Sequence, residues 1–258
     1  MDNKITNQKS KHSQITAFVI IALLFIIIIV GLFLFLNRPA SKLTPETSQD
    51  YLYSCLEKNL QEVEKILLDT NLYPSLEKNY VTYLGKKVPY LCKASQFYIP
   101  CINQEPMLIG HVRSYFEEQM NPRTETCFNE IKSQLEGKGY DINAGETNFQ
   151  ILFSKGEIAE SINKDFLITK DEQKFGYESF KAKIQSPLYN LIDTARNIVN
   201  AESAYCEFNS MNWMLYYRDI IISKFVASEQ SKIYTLKDKE TEKQIDFAVK
   251  TCVMPAGI

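Results

Sequence analysis

Between Ile15 and Leu36 the chain runs for 22 residues with Thr16 as its one polar side chain. A helix of that length rises about 33 Å, enough to cross a hydrocarbon core of about 30 Å. Unpaired backbone amides cost several kcal/mol in lipid, so such a run must be helical there. Pro39 follows and stops it. A secretory signal has a shorter apolar core of about 7–15 residues and a small-x-small cleavage site, and no Ala-x-Ala follows this run. The sequence therefore predicts a cytoplasmic basic tail (1–14), a transmembrane helix (15–37), a linker (38–48) and an extracytoplasmic domain (49–258) with a sub-boundary near 205. Lys4, Lys9 and Lys11 precede the run and Arg38 and Lys42 follow it, a bias that puts the N-terminus inside.

Six cysteines lie beyond the run. An even count in a translocated domain reads as up to three disulfides, with 15 connectivities open. Cys92 and Cys101 bracket a short loop and make the first candidate pair. Cys55–Cys127 would tie two helices and Cys206–Cys252 would tie the tail. Free core thiols are the competing reading. No Cys-x-x-Cys occurs, and His12 and His111 are the only histidines, so the sequence implies no zinc site and no cofactor.

Charge removes another class. Residues 1–38 contribute +3 to a net charge of −2, which leaves −5 on the rest. A nucleic-acid binder would show a basic face. The expected partners are the bilayer and another envelope or surface protein.

Leu52, Leu56, Leu60, Val63 and Leu67 step by four, four, three and four, which predicts an amphipathic helix opened by Thr44-Pro45. Gly85-Lys86-Lys87 is placed to turn a hairpin between 80–84 and 88–92. A second helix runs from Pro106 to Met120, is broken or kinked at Asn121-Pro122, and continues to Leu135. The period then switches to two through Phe149–Phe153, Ile158–Ile162, Phe166–Ile168 and Phe180–Ile184, an antiparallel meander of three or four strands. A third helix opens at Ser186-Pro187, with its stripe at Leu188, Leu191, Ile192, Ala195, Ile198 and Val199. Three β-rich segments close the chain. Helices packed on an antiparallel meander define an α+β fold.

Two resemblances bear on this plan. Lys11-His12-Ser13-Gln14-Ile15-Thr16 resembles an archaeal class III (type IV pilin-like) leader, which implies a cut before Gln14. Ser13 stands where Gly is usual, and Phe18 where pilins carry Glu. The wider chain resembles an uncharacterised family of single-pass, membrane-anchored, extracytoplasmic proteins of small-genome archaea. That likeness lies in Tyr53-Ser54-Cys55-Leu56-Glu57, Val88-Pro89-Tyr90-Leu91-Cys92, Gln104-Glu105-Pro106-Met107-Leu108 and Glu125-Thr126-Cys127-Phe128. Gly139-Tyr140, Ser186-Pro187-Leu188-Tyr189, Phe247-Ala248-Val249-Lys250 and Pro255-Ala256-Gly257 continue it. The resemblance implies a location and a domain plan, and no catalytic residue.

Chemistry-bearing patterns are weak. Ser75-x-x-Lys78 has a nucleophile–base spacing but lacks partner motifs. Glu117-Glu118 and Asp171-Glu172 read as solvated pairs, His111 as a helix-edge residue, and Gly137-Lys138-Gly139-Tyr140 follows a helix and lacks the rest of a phosphate loop. Tyr205, Phe208, Trp213, Tyr216 and Tyr217 cluster near Met211 and Met214. They read as core or as a partner patch, because Tyr, Trp and Met are enriched at interface centres. The sequence thus predicts a cell-envelope protein acting by contact and not an enzyme. The alternatives are a pilin-like or pseudopilin subunit and an extracytoplasmic hydrolase whose site assembles in space.

Overall fold

The computed structural model describes residues 20–30, 43–227 and 229–254, which fall into two units divided after Lys42. In the first unit residues 20–30 are helical (α1), and every side chain of this stretch is exposed. No helix among the described residues is long and apolar enough to cross a membrane. The whole expected tail at 1–14, the ends of the expected span at 15–37 and the proposed cut before Gln14 lie outside the described residues.

The second unit starts at Leu43, which is buried at 2% exposure. Helix α2 (Pro45–Asp69) therefore begins inside the segment expected to be a linker. The Thr44 N–H donates to Thr47 Oγ1 at 2.8 Å, and Pro45 fills the first turn, where its missing N–H costs nothing. The predicted leucine stripe is wholly interior, with each member at 0–1% exposure.

Helix α3 (Leu108–Glu136) packs antiparallel to α2: Tyr51 meets Glu130, Cys55 meets Cys127 and Glu62 meets Arg123. It runs through Pro122 without a break. The stripe of Leu108, Val112, Phe116, Met120, Thr124, Phe128, Ile131 and Leu135 is buried along its whole length, and that packing outweighs the one lost backbone bond.

Strands β1 (Tyr80–Tyr83), β2 (Lys86–Lys93) and β3 (Ile102–Asn103) lie between these helices in sequence. The hairpin forms, but its turn is Leu84-Gly85, at φ 48° and 77°, and Lys86 and Lys87 of the expected Gly85-Lys86-Lys87 turn already open β2. Strands β4 (Asp141–Ala144), β5 (Asn148–Ser154), β6 (Glu157–Lys170) and β7 (Gln173–Gln185) form a four-stranded antiparallel sheet in which β5-β6-β7 is the expected meander and β4 pairs with the C-terminal half of β6. The two segments expected at 158–162 and 166–168 are one strand, β6, whose register slips between Asn163 and Phe166.

Helix α4 (Leu188–Tyr205) and the short α5 (Ser210–Tyr216) lead into β8 (Ile220–Val226), β9 (Lys232–Asp238) and β10 (Gln244–Lys250). These strands do not stand apart as a subdomain after 205. β10 pairs parallel with β2, so the tail joins the front of the chain in a six-stranded sheet ordered β1-β2-β10-β9-β8 with β3 beside β2. One core links the two sheets through α2, α3 and α4. A second small cluster of Val88, Tyr90, Ile233 and Ala248 forms around β2, β9 and β10.

All six cysteines are paired: Cys55–Cys127, Cys92–Cys101 and Cys206–Cys252, with Cα atoms 6.0, 5.4 and 5.8 Å apart. Cys92–Cys101 is the pair the spacing put first, and the other two bridges match the pairings suggested beside it among the 15 left open.

Candidate functional site

Helix α4 has two faces. Leu188, Leu191, Ile192, Ala195, Ile198 and Val199 are buried at 0–2% exposure. Tyr189, Asn190, Asp193, Arg196 and Asn197 point the other way at helical spacing and are exposed or half-buried. Arg196 donates to Asp193 at 2.6 Å, and the Asn197 amide donates to the Asp193 carbonyl at 2.7 Å. The helix ends at Cys206, which adopts φ 59°, and the chain turns there.

Asn209 then caps α5, its side chain accepting from the Asn212 N–H at 2.9 Å. This helix has no buried residue although it carries two Met, a Trp, a Leu and a Tyr. Trp213 turns back toward α4 and lies 4.1 Å from the Tyr217 ring in a stacked arrangement. Its other neighbour is Phe208, at 5.7 Å. Trp213 and Tyr217 form one wall of a pocket of about 460 Å³. The outer face of α4, Lys155 from the β5–β6 turn, and Asp219 and Ile220 at the start of β8 form the rest. The indole Nε1 is buried and has no hydrogen-bond partner.

The aromatic group named from sequence thus divides. Tyr205, Tyr216 and Tyr217 are exposed at 80, 79 and 54%. Trp213 is half-buried at the pocket wall. Phe208 is withdrawn from the surface at 7% exposure and packs edge-on to Tyr234, because the turn at Cys206 aims it into the core. Met211 and Leu215, left out of that group, extend the exposed surface. So do Phe225 and Val226 of β8, which among the described residues is an edge strand paired with β9 alone. The outer face of α4 was missed because its polar residues carry no motif, and only the fold sets them beside Trp213.

A buried polar cluster fixes the end of α4 to the sheet. Glu202 is fully buried, accepts a bond from Tyr234 and pairs with Lys232 at 2.8 Å. Lys232 also reaches the Cys206 carbonyl at 2.6 Å and Glu207 at 3.0 Å, and Glu207 meets Lys224. Burial, then the Glu202 carboxylate, push the Tyr234 phenol above its usual range. At Glu207 burial opposes ionisation, yet Lys224 and Lys232 outweigh it and hold the carboxyl below its usual range.

The other sequence candidates are scattered. Ser75 and Lys78 lie exposed in the turn region between α2 and β1. His111 is exposed with its ring 5.2 Å from Tyr73, and Asp171-Glu172 form an exposed turn. One Ser–Glu–Lys group does assemble from distant segments. Ser186 donates to Glu64 at 2.5 Å and accepts from the Leu188 N–H, while Lys243 donates to Glu64 at 2.7 Å. The hydroxyl is buried at 3% and committed on both sides, which makes it a strut at the start of α4. Among the described residues no group of His, Cys, Asp and Glu is arranged to hold a metal ion. No family model, characterised protein or solved structure matches the chain.

Proposed function

We propose that the chain is a single-pass cell-envelope protein, N-terminus inside, whose disulfide-stapled α+β domain faces outward and works by contact. The exposed character of α5 and its pocket carries this reading: a short helix rich in Met, Leu and Tyr has no buried residue. Exposed apolar patches of this kind mark places where a partner binds. Two further features support the location. Residues 20–30 form a helix apolar on every side and exposed on every side, which suits lipid and not water. The three disulfides suit an oxidising compartment. Kinship with the archaeal membrane-anchored family belongs to the same proposal. Protease added to intact cells should remove residues 50–258 and spare the N-terminal tail. A domain protected until the cells are lysed would sink the reading.

A further inference from the structure

We infer that the α4–α5–β8 pocket binds a neutral saccharide ring. The inference rests on the outward, contact-making reading above and deepens it by naming a ligand class. Three features carry it. The first is the wall: Trp213 and Tyr217, stacked on one another at 4.1 Å, line the pocket with an apolar aromatic surface that carries the Tyr217 hydroxyl, the kind of surface that suits the C–H face of a sugar ring. The second is what faces that wall. Asp193, Arg196 and Asn197 are held together on the outer turns of α4 by bonds of 2.6 and 2.7 Å, so an acceptor and donors stand side by side before any ligand arrives. Adjacent hydroxyls both donate and accept, and they match such a pair without a charge of their own.

The third feature is charge balance. Lys155 and Arg196 offset Asp193 and Asp219 around the pocket, which favours neither an anion nor a cation. A volume of about 460 Å³ falls in the range of small-molecule sites, which combine apolar walls with a few fixed polar groups.

The chain contains a single tryptophan, so its fluorescence reports this pocket alone. Full-length protein in a detergent without a sugar headgroup is titrated with methyl glycosides of glucose, galactose and mannose and with methyl N-acetylglucosaminide. Glucuronate and lysine serve as charged controls. A saturable change in emission is expected with at least one neutral glycoside. In Asp193→Asn its midpoint should weaken by about tenfold, the loss that follows from one charge-assisted bond, and in Tyr217→Ala by about as much, through the lost aromatic contact area. Both positions are partly exposed, and an unchanged unfolding transition checks that each variant is folded. Asn190→Ala on the same face gives an independent third reading. Tighter binding of a trisaccharide than of its methyl glycoside would assign the ligand to a glycan chain, and equal binding to a free sugar, both within the inferred class. No response to any neutral glycoside at tens of millimolar, or a response to the charged controls alone, would overturn the inference. Protease protection is independent of this result: a shielded domain that still binds sugar would defeat the topology and leave the ligand class standing.

Discussion

Two buried carboxylates differ in how their oxygens are partnered. Glu160 of β6 faces the helices between Ile158 and Ile162, with Ile151 and Ala182 as its cross-strand neighbours. One oxygen accepts a 2.6 Å bond from Thr124, and the other has no partner. Burial, only partly offset by Thr124, pushes its carboxyl up to about 7. A folded-state value above the unfolded one means that the fold holds a proton which the unfolded chain gives up. The cost is absent below pH 4.5 and grows as pH rises toward 7. It then levels off at on the order of 3 kcal/mol. Glu160→Gln should raise the melting temperature at pH 8 and leave it nearly unchanged at pH 4.5. Wild-type and variant curves that run parallel across that interval would refute this. Glu202, by contrast, is met by Tyr234 and Lys232. Glu202→Ala should destabilise by about 3 kcal/mol or more in urea, because the buried Tyr234 hydroxyl loses its acceptor and Lys232, though it keeps Glu207 and the Cys206 carbonyl, loses its fully buried counter-charge, whereas Tyr234→Phe should cost only about 1–2 kcal/mol.

At the scale of elements, Pro122 is the point where local and tertiary preferences conflict. A proline inside a helix removes one bond and crowds the preceding turn, at a cost of about 3 kcal/mol. Helix α3 tolerates it because residues on both sides share one buried stripe. Pro122→Ala should therefore stabilise the protein by about 1–3 kcal/mol, read as a shift in the urea midpoint with its slope unchanged. A loss of stability would mean that the packing of α3 on the meander requires the proline's geometry. The same conflict explains what the residues did and did not disclose. Periodicity located α2, α4 and the period-two strands, because each has one face in the core. It missed that 158–162 and 166–168 are one strand, since Lys164 holds an inward position where the pattern calls for an apolar residue, although every second residue from Ile158 to Ile168 is buried. That lysine is nonetheless satisfied, by Thr147 at 2.5 Å and Glu125 at 3.6 Å. The parallel pairing of β2 with β10 left no local trace, because it joins segments more than a hundred residues apart. The aromatic residues of the candidate site were visible as composition. Which of them stay at the surface is set by the turn at Cys206 and the cap at Asn209, beyond the reach of spacing.

Across the whole molecule the disulfides differ in what they constrain. Cys92–Cys101 closes a separation of 9 residues, Cys206–Cys252 one of 46 and Cys55–Cys127 one of 72. Loop-closure entropy grows with the logarithm of length, so removal should cost about 2.6, 4.0 and 4.4 kcal/mol in that order. The longer two also join elements that no short loop connects. Cys55–Cys127 clamps α2 to α3, and Cys206–Cys252 ties the end of α4 to the segment just after β10. Replacing each pair by serine in turn should lower the urea midpoint least for Cys92–Cys101 and more for either long bridge. The Cys206–Cys252 variant carries an additional expectation. The Cys206 carbonyl accepts from Lys232, and Phe208 and Trp213 follow within one turn of chain, so loosening this point should free the aromatic wall. Acrylamide quenching of Trp213 should rise in that variant and stay at the wild-type level when Cys55–Cys127 is removed under conditions where both remain folded. Equal quenching in the two would mean that the wall is held by α4 packing alone, and the bridge would then bear on stability without shaping the pocket.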